Sequence, residues 1–138
     1  QKNPVFYVQY AHARVASIEK HARERGVRLP EAAEWPELDL SRLTAVEELA
    51  LIKTLLRYPG LVGGAARACE PHRVAAYLHD LAAQFHGYHH LGSQTPALRV
   101  VRPDDVALSH ARLALARAVG LVLRNGLGVL GISAPDSM

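Results

Sequence analysis

The chain has 138 residues, enough to bury one core, and a 49% hydrophobic content argues against a disordered chain. Sixteen Lys and Arg against thirteen Asp and Glu leave a formal charge of only +3, a weak lean towards a polyanionic partner that eight mostly neutral histidines enlarge without proving. The single cysteine, Cys69, excludes an intrachain disulfide and fits a reducing compartment, so a cytoplasmic location is expected, with no bilayer-spanning window and no signal peptide.

Asn3-Pro4 is a helix start, a capping side chain followed by proline at the first helical position, and Gly26 is a stop. Between them Val8, Ala11, Val15, Ile18 and Ala22 recur at spacings of three and four, which predicts one core-facing stripe. Residues 27–40 carry Pro30 and Pro36 and read as a loop pinned by Trp35. Thr44-Ala-Val-Glu47 reads as a capping box opening a second helix, with Leu49, Ile52, Leu55 and Leu56 as its apolar face and an end near Pro59. A short helix over 61–69 is expected next. Pro71 then opens a longer one, along which Val74, Leu78, Leu81, Ala82 and Phe85 keep helical spacing.

Residues 92–102 read as a polar loop, after which Asp104 or Asp105 caps a final helix running to about Asn125. Leu113, Leu115, Val119, Leu121, Val122 and Leu123 make that helix apolar almost all round, as for a helix in the middle of a bundle. Gly126 is expected to end it, and Gly128 and Gly131 punctuate an apolar tail before Pro135. No alternating strand pattern competes, so the fold class is all-α, a helical bundle occupying residues 1–138 as a single domain.

Tyr7, Tyr10 and Arg14 share one face of the first helix. At about 100° per residue this face lies to the side of the core stripe, and His21 and Arg25 fall on the same meridian. Such a face suits a single-stranded RNA loop, because unpaired bases stack on Tyr and Arg planes while cations meet phosphates. Periodicity alone favours the plainer reading, in which edge tyrosines seal the core with their hydroxyls in water. His86 and His90 have the spacing of helical metal ligands, yet no HExxH glutamate or Cys pair accompanies them, and no metal is expected. His110, Arg117 and Arg124 recur every seven residues and read as the solvated face of the last helix rather than a phosphate ridge.

The run Tyr7-Val-Gln-Tyr10-Ala-His12-Ala-Arg14 resembles the signature that opens the C-terminal, DALR-type anticodon-binding domain of bacterial-like arginyl-tRNA synthetases. Thr44-Ala-Val-Glu-Glu-Leu-Ala-Leu-Ile, Pro71-His72-Arg-Val-Ala-Ala-Tyr77-Leu-His-Asp-Leu-Ala82, Arg112-Leu-Ala-Leu115 and the run from Gly126 to Pro135 resemble its later segments in order, over essentially the whole chain. The resemblance implies the anticodon-binding helical bundle of a class I aminoacyl-tRNA synthetase. Its implied partner is the anticodon arm of tRNA(Arg), charged by an upstream catalytic domain that uses ATP and Mg.

This chain lacks HIGH-like and KMSK-like motifs, begins at Gln1 rather than an initiator Met, and so is expected to be one part of that ligase, without catalytic residues, cofactor or membrane contact of its own, and monomeric. Carried over position by position, the resemblance assigns tRNA contacts to Tyr7, Tyr10 and Arg14, to Tyr88 as a further aromatic, and to Met138 as the family's terminal methionine. His21 and Arg25 are candidate backbone contacts. The related domain of a cysteinyl or glycyl enzyme, or a helical protein-docking module, are the alternatives.

Overall fold

A computed structural model describes residues 3–138. Five α-helices follow one another, α1 (Pro4–Glu24), α2 (Val46–Leu56), α3 (Tyr58–Ala68), α4 (Pro71–Gln94) and α5 (Val106–Val129), and the described residues contain no strand. The Asn3 carboxamide accepts from the backbone of Val5 and Phe6, so α1 starts at the expected cap. It stops where Gly26 takes φ 79°, a left-handed conformation that costs glycine nothing.

α1, α4 and α5 form the central triangle, and α2 and α3 cover α4. Glu19 meets Arg117 and the Gly120 backbone lies against Val15, so α1 and α5 run in opposite senses. All five predicted core positions of α1 and all five of α4 are buried. Leu113, Leu115, Val119 and Leu123 of α5 are buried too, whereas Leu121 is 60% exposed. Helix α5 has the length and apolarity of a membrane span, contrary to the expectation that no window would. Its apolar surface is instead used against α1 and α4 in the centre of the bundle.

Three local expectations are corrected. The Glu48 carboxylate, not Glu47, caps α2 by accepting from Ala45 N at 3.1 Å, and alanine has no oxygen with which to return the bond. The fully buried stripe of α2 is Glu48, Leu51 and Thr54; of the expected face Ile52 and Leu55 pack partly buried against the core, while Leu49 and Leu56 are exposed because Glu48 and Thr54 take the inward positions beside Leu51. Glu48 is wholly buried and accepts from Arg112 Nε at 2.6 Å and from Tyr88 Oη at 2.6 Å. Arg112 also donates through Nη1 to the carbonyls of Ala97 and Arg99, at 2.8 and 2.9 Å. Finally, α5 continues through Gly126 to Val129, and Gly131, at φ 75°, ends the turn. Gly126 is there for space: a Cβ on it would sit 2.6 Å from Leu78 Cδ2.

The loop between α1 and α2 winds through two short 3-10 turns, Trp35–Glu37 and Leu40–Arg42. Trp35 packs on the core edge with the Arg117 guanidinium 4.7 Å above its ring, which fixes the loop as expected.

Candidate nucleic-acid interface

The two flanks of α1 meet different neighbours. On one, the buried side chains of Gln9 and His12 hold the C-terminal tail: Gln9 Nε2 donates to Ser133 O at 2.9 Å, and His12 Nδ1 lies 2.9 Å from Pro135 O. A carbonyl only accepts, so Nδ1 of His12 carries the proton. The tail is thereby laid along α1, and Met138, Tyr7, Tyr10 and Arg14 line one open cleft of about 940 Å³. Four separate expectations are brought together here.

Their side chains are held to different degrees. Tyr7 is half-buried, with the His79 and His86 rings 4.9 and 5.0 Å away, so α4 fixes its plane. Tyr10 is 53% exposed and Met138 is 54% exposed, which leaves an aromatic face and a flexible thioether open at the rim. Lys20 and Arg23 also line this cleft, placing cations beside the aromatic surface.

Arg14 is anchored from α4, because its Nη1 donates to His89 Nδ1 at 3.0 Å, while its Nε is buried without a partner among the described residues. An arginine can only donate, so His89 must present a bare Nδ1 and be neutral. Burial, then the Arg14 charge, pushes the His89 imidazole down to about 4, and the same two causes lower His86. The unfolded chain, with His89 near 6.5, therefore binds more protons than the folded chain below that pH. Stability from this group is complete above about pH 6.5 and lost as pH falls towards about 4. His89→Gln, which can still accept from Arg14, is expected to flatten the urea midpoint against pH across that window; a slope equal to wild type would contradict the assignment.

His21 and Arg25 do not join the first cleft. They line a second one, of about 630 Å³, between the C-terminal half of α1, the end of α4 and the segment 98–101. Arg14, Ser17 and Lys20 line both, so the predicted meridian is one surface divided at Arg14.

Tyr88 is a correction. It is only 2% exposed, and its hydroxyl donates to the buried Glu48 carboxylate, so its ring has no free face for a base. The hydroxyl completes the solvation of a buried charge instead, and burial with Glu48 pushes the phenol well above its usual range. Of the last-helix cations, His110 lies 2.8 Å from Arg28 O and Arg117 is occupied by Glu19 and Trp35, while Arg124 is exposed. No group of three or more metal-type side chains gathers among the described residues.

Sequence reasoning singled out the outward residues of the opening motif and passed over Gln9 and His12. Their signal was two polar side chains three apart on the flank of an apolar stripe. His89 gave no signal, because its partner lies 75 residues away.

The profile described as the DALR anticodon binding domain matches residues 8–138. The chain belongs to the DALR anticodon-binding domain family. The domain is 50% identical over its full length to 24% of an arginine–tRNA ligase from Azorhizobium caulinodans. A ligase of the same name from Syntrophotalea carbinolica is 50% identical over 99% of the chain and 23% of its own length. The arginyl-tRNA synthetase structure of Thermus thermophilus superimposes with a TM-score of 0.75 at 37% identity, over 96% of the DALR domain and 21% of that chain. The DALR domain thus spans about a quarter of the length of the relatives it matches.

Proposed function

We propose that the chain is the single C-terminal anticodon-recognition domain of an arginine–tRNA ligase. It binds the anticodon arm of tRNA(Arg) and makes or breaks no bond. An upstream catalytic domain of the same ligase activates arginine with ATP and Mg in the cytoplasm and charges the bound tRNA. One observation carries this reading: Tyr7, Tyr10, Arg14 and Met138, from opposite ends of the chain, line the same cleft. Tyr10 offers an open ring on which an unpaired base can stack, and Tyr7 offers a ring held in place by two imidazoles. Arg14 supplies a tethered guanidinium that meets either a base plane or a phosphate. Lys20 and Arg23 are placed to neutralise the strand that carries those bases.

The test is binding of the 138-residue chain to a tRNA(Arg) transcript and to the same transcript with altered anticodon bases. The cognate transcript should bind more tightly, and equal affinities would overturn the reading. Tyr10→Ala should weaken the cognate complex by about 1–3 kcal/mol, the usual worth of one stacked base. Because Tyr10 is half exposed, the variant's thermal unfolding should match wild type. Unchanged affinity would return Tyr10 to sealing the core edge.

A further inference from the structure

The second cleft has a composition that the bundle's stability does not explain. Arg14, Lys20, Arg25 and Arg99 line it with His21, and Glu24 is the one carboxylate among its lining residues. The ion pairs of the described residues engage other cations: Arg28, Arg42, Arg73, Arg102, Arg112 and Arg117. Exposed cations on one helix would ordinarily be a solvated face. Here they come from two chain segments and face one concavity.

The segment that carries Arg99 is built into place. Gly92 is buried, and a Cβ on it would lie 3.0 Å from Leu98 O and 3.2 Å from Arg99 Cα, so the loop backbone closes on α4 where no side chain intervenes. Val100 and Val101 are buried beneath it. Arg99 Nε donates to Gly92 O at 3.2 Å, which restrains the side chain, while its two Nη groups make no side-chain or carbonyl bond among the described residues. Arg14 is restrained in turn by His89. Two guanidinium groups therefore reach this cleft with part of their freedom already lost, a lower entropic cost for meeting an anion. Ser17 adds a hydroxyl donor at the rim, whereas the Ser93 hydroxyl already donates to His90 O at 2.6 Å.

We propose that this cleft grips backbone phosphates of the same RNA strand whose bases occupy the first cleft, with Arg25 and Arg99 as its two dedicated phosphate contacts. The proposal rests on the anticodon-binding reading and adds residues of the 98–101 segment to it. The two clefts share Arg14, Ser17 and Lys20, so a single strand can pass from one to the other without leaving the surface. A phosphate contact of this kind carries no sequence information. It fixes the strand's register on the first cleft and registers in experiment as counterion release.

The test measures affinity of the 138-residue chain for the tRNA(Arg) transcript and its anticodon-altered counterpart from 50 to 200 mM salt. The proteins compared are wild type, Arg25→Gln/Arg99→Gln, and Arg124→Gln as an exposed cation on α5 away from both clefts. Each lost single-strand contact lowers the slope of log affinity against log salt by about 0.7, so the double variant should lose about 1.4. Its affinity should then change about 7-fold less than wild type's across that range. Its preference for the cognate anticodon should stay within twofold of wild type, and Arg124→Gln should keep the wild-type slope. An unchanged slope in the double variant, with anticodon preference intact, overturns the phosphate grip alone. An equal drop in Arg124→Gln also overturns it, because the effect would then be net charge rather than a site. Absence of preference in every protein overturns the anticodon reading and this proposal with it. The melting curve of Arg124→Gln should superimpose on wild type, and the double variant should melt within a few degrees of it, since its side chains are exposed and only the Arg99 Nε bond to Gly92 O is lost.

Discussion

Arg112→Ala is expected to destabilise the chain by about 3–5 kcal/mol, the cost of breaking a buried ion pair by removing one partner. Glu48 is wholly buried, and Arg112, 5% exposed, is its only cationic neighbour within ion-pair distance among the described residues. Truncation leaves that carboxylate with the Tyr88 hydroxyl and one backbone N–H, too little to replace its hydration. It also strips the donor from the carbonyls of Ala97 and Arg99, so the loop that carries Arg99 is left tied to α5 through the Ser109 bonds to Arg102. Urea denaturation followed by circular dichroism measures the loss. The solvent-exposed Arg28–Glu34 pair gives the contrast: Arg28→Ala should cost far less, since exposed pairs are screened and already hydrated. Equal losses from the two substitutions would contradict the assignment of Arg112 as the counter-ion of a desolvated charge.

Gly126→Val should cost about 2–3 kcal/mol, for the opposite reason: too many atoms rather than too few. The added Cβ would lie 2.6, 2.9 and 3.0 Å from Leu78 Cδ2, Cδ1 and Cγ, and Leu78 is 1% exposed, with no open side into which to turn. Valine's better helix propensity returns only a few tenths of a kcal/mol. Leu78 supplies the check. Leu78→Ala alone opens a cavity and should cost about 2–5 kcal/mol. In the double variant the valine refills that space, so the combined loss should fall short of the sum by more than about 1 kcal/mol. Strict additivity would mean that the two side chains do not compete for the same volume.

The reason that Gly126 and Glu48 escaped the sequence reading is shared. Each is explained by an atom far along the chain, Leu78 for one and Arg112 for the other, and local pattern carries no distance information. Where burial follows local periodicity the reading held: α1, α4 and most of α5 present their buried residues at spacings of three and four. It held only for Ile52 and Leu55 on α2, where a charged residue and a threonine take core positions and leave Leu49 and Leu56 outward. Thr54 is acceptable there because its hydroxyl donates to Gln84 Oε1 at 2.7 Å, again a partner from another helix.

The interface divides in the same way. The Tyr7, Tyr10, Arg14 stripe was legible because a single helix sets it. Tyr88 was misjudged because nothing near it in sequence reveals a buried carboxylate waiting for its hydroxyl. That Met138 belongs beside Tyr10 follows from Gln9 and His12, whose bonds to the tail span more than 120 residues.

Those two bonds also govern how the first cleft moves. Residues 132–138 contain no helix: the Ile132 N–H donates to Leu127 O, Ile132 and Ala134 pack against the core, and the side chains of Gln9 and His12 fasten Ser133 and Pro135 to α1 without a backbone ladder. Releasing the Gln9 and His12 bonds disturbs none of the helical hydrogen bonds, so opening of the tail from Ser133 onward is expected to cost less than global unfolding. A strand that touched Met138 would then be expected to favour the docked tail. Amide exchange in the tail would slow upon binding while exchange in the helical core stays as it was, so occupancy would be written in the protection of the tail amides on either side of Pro135.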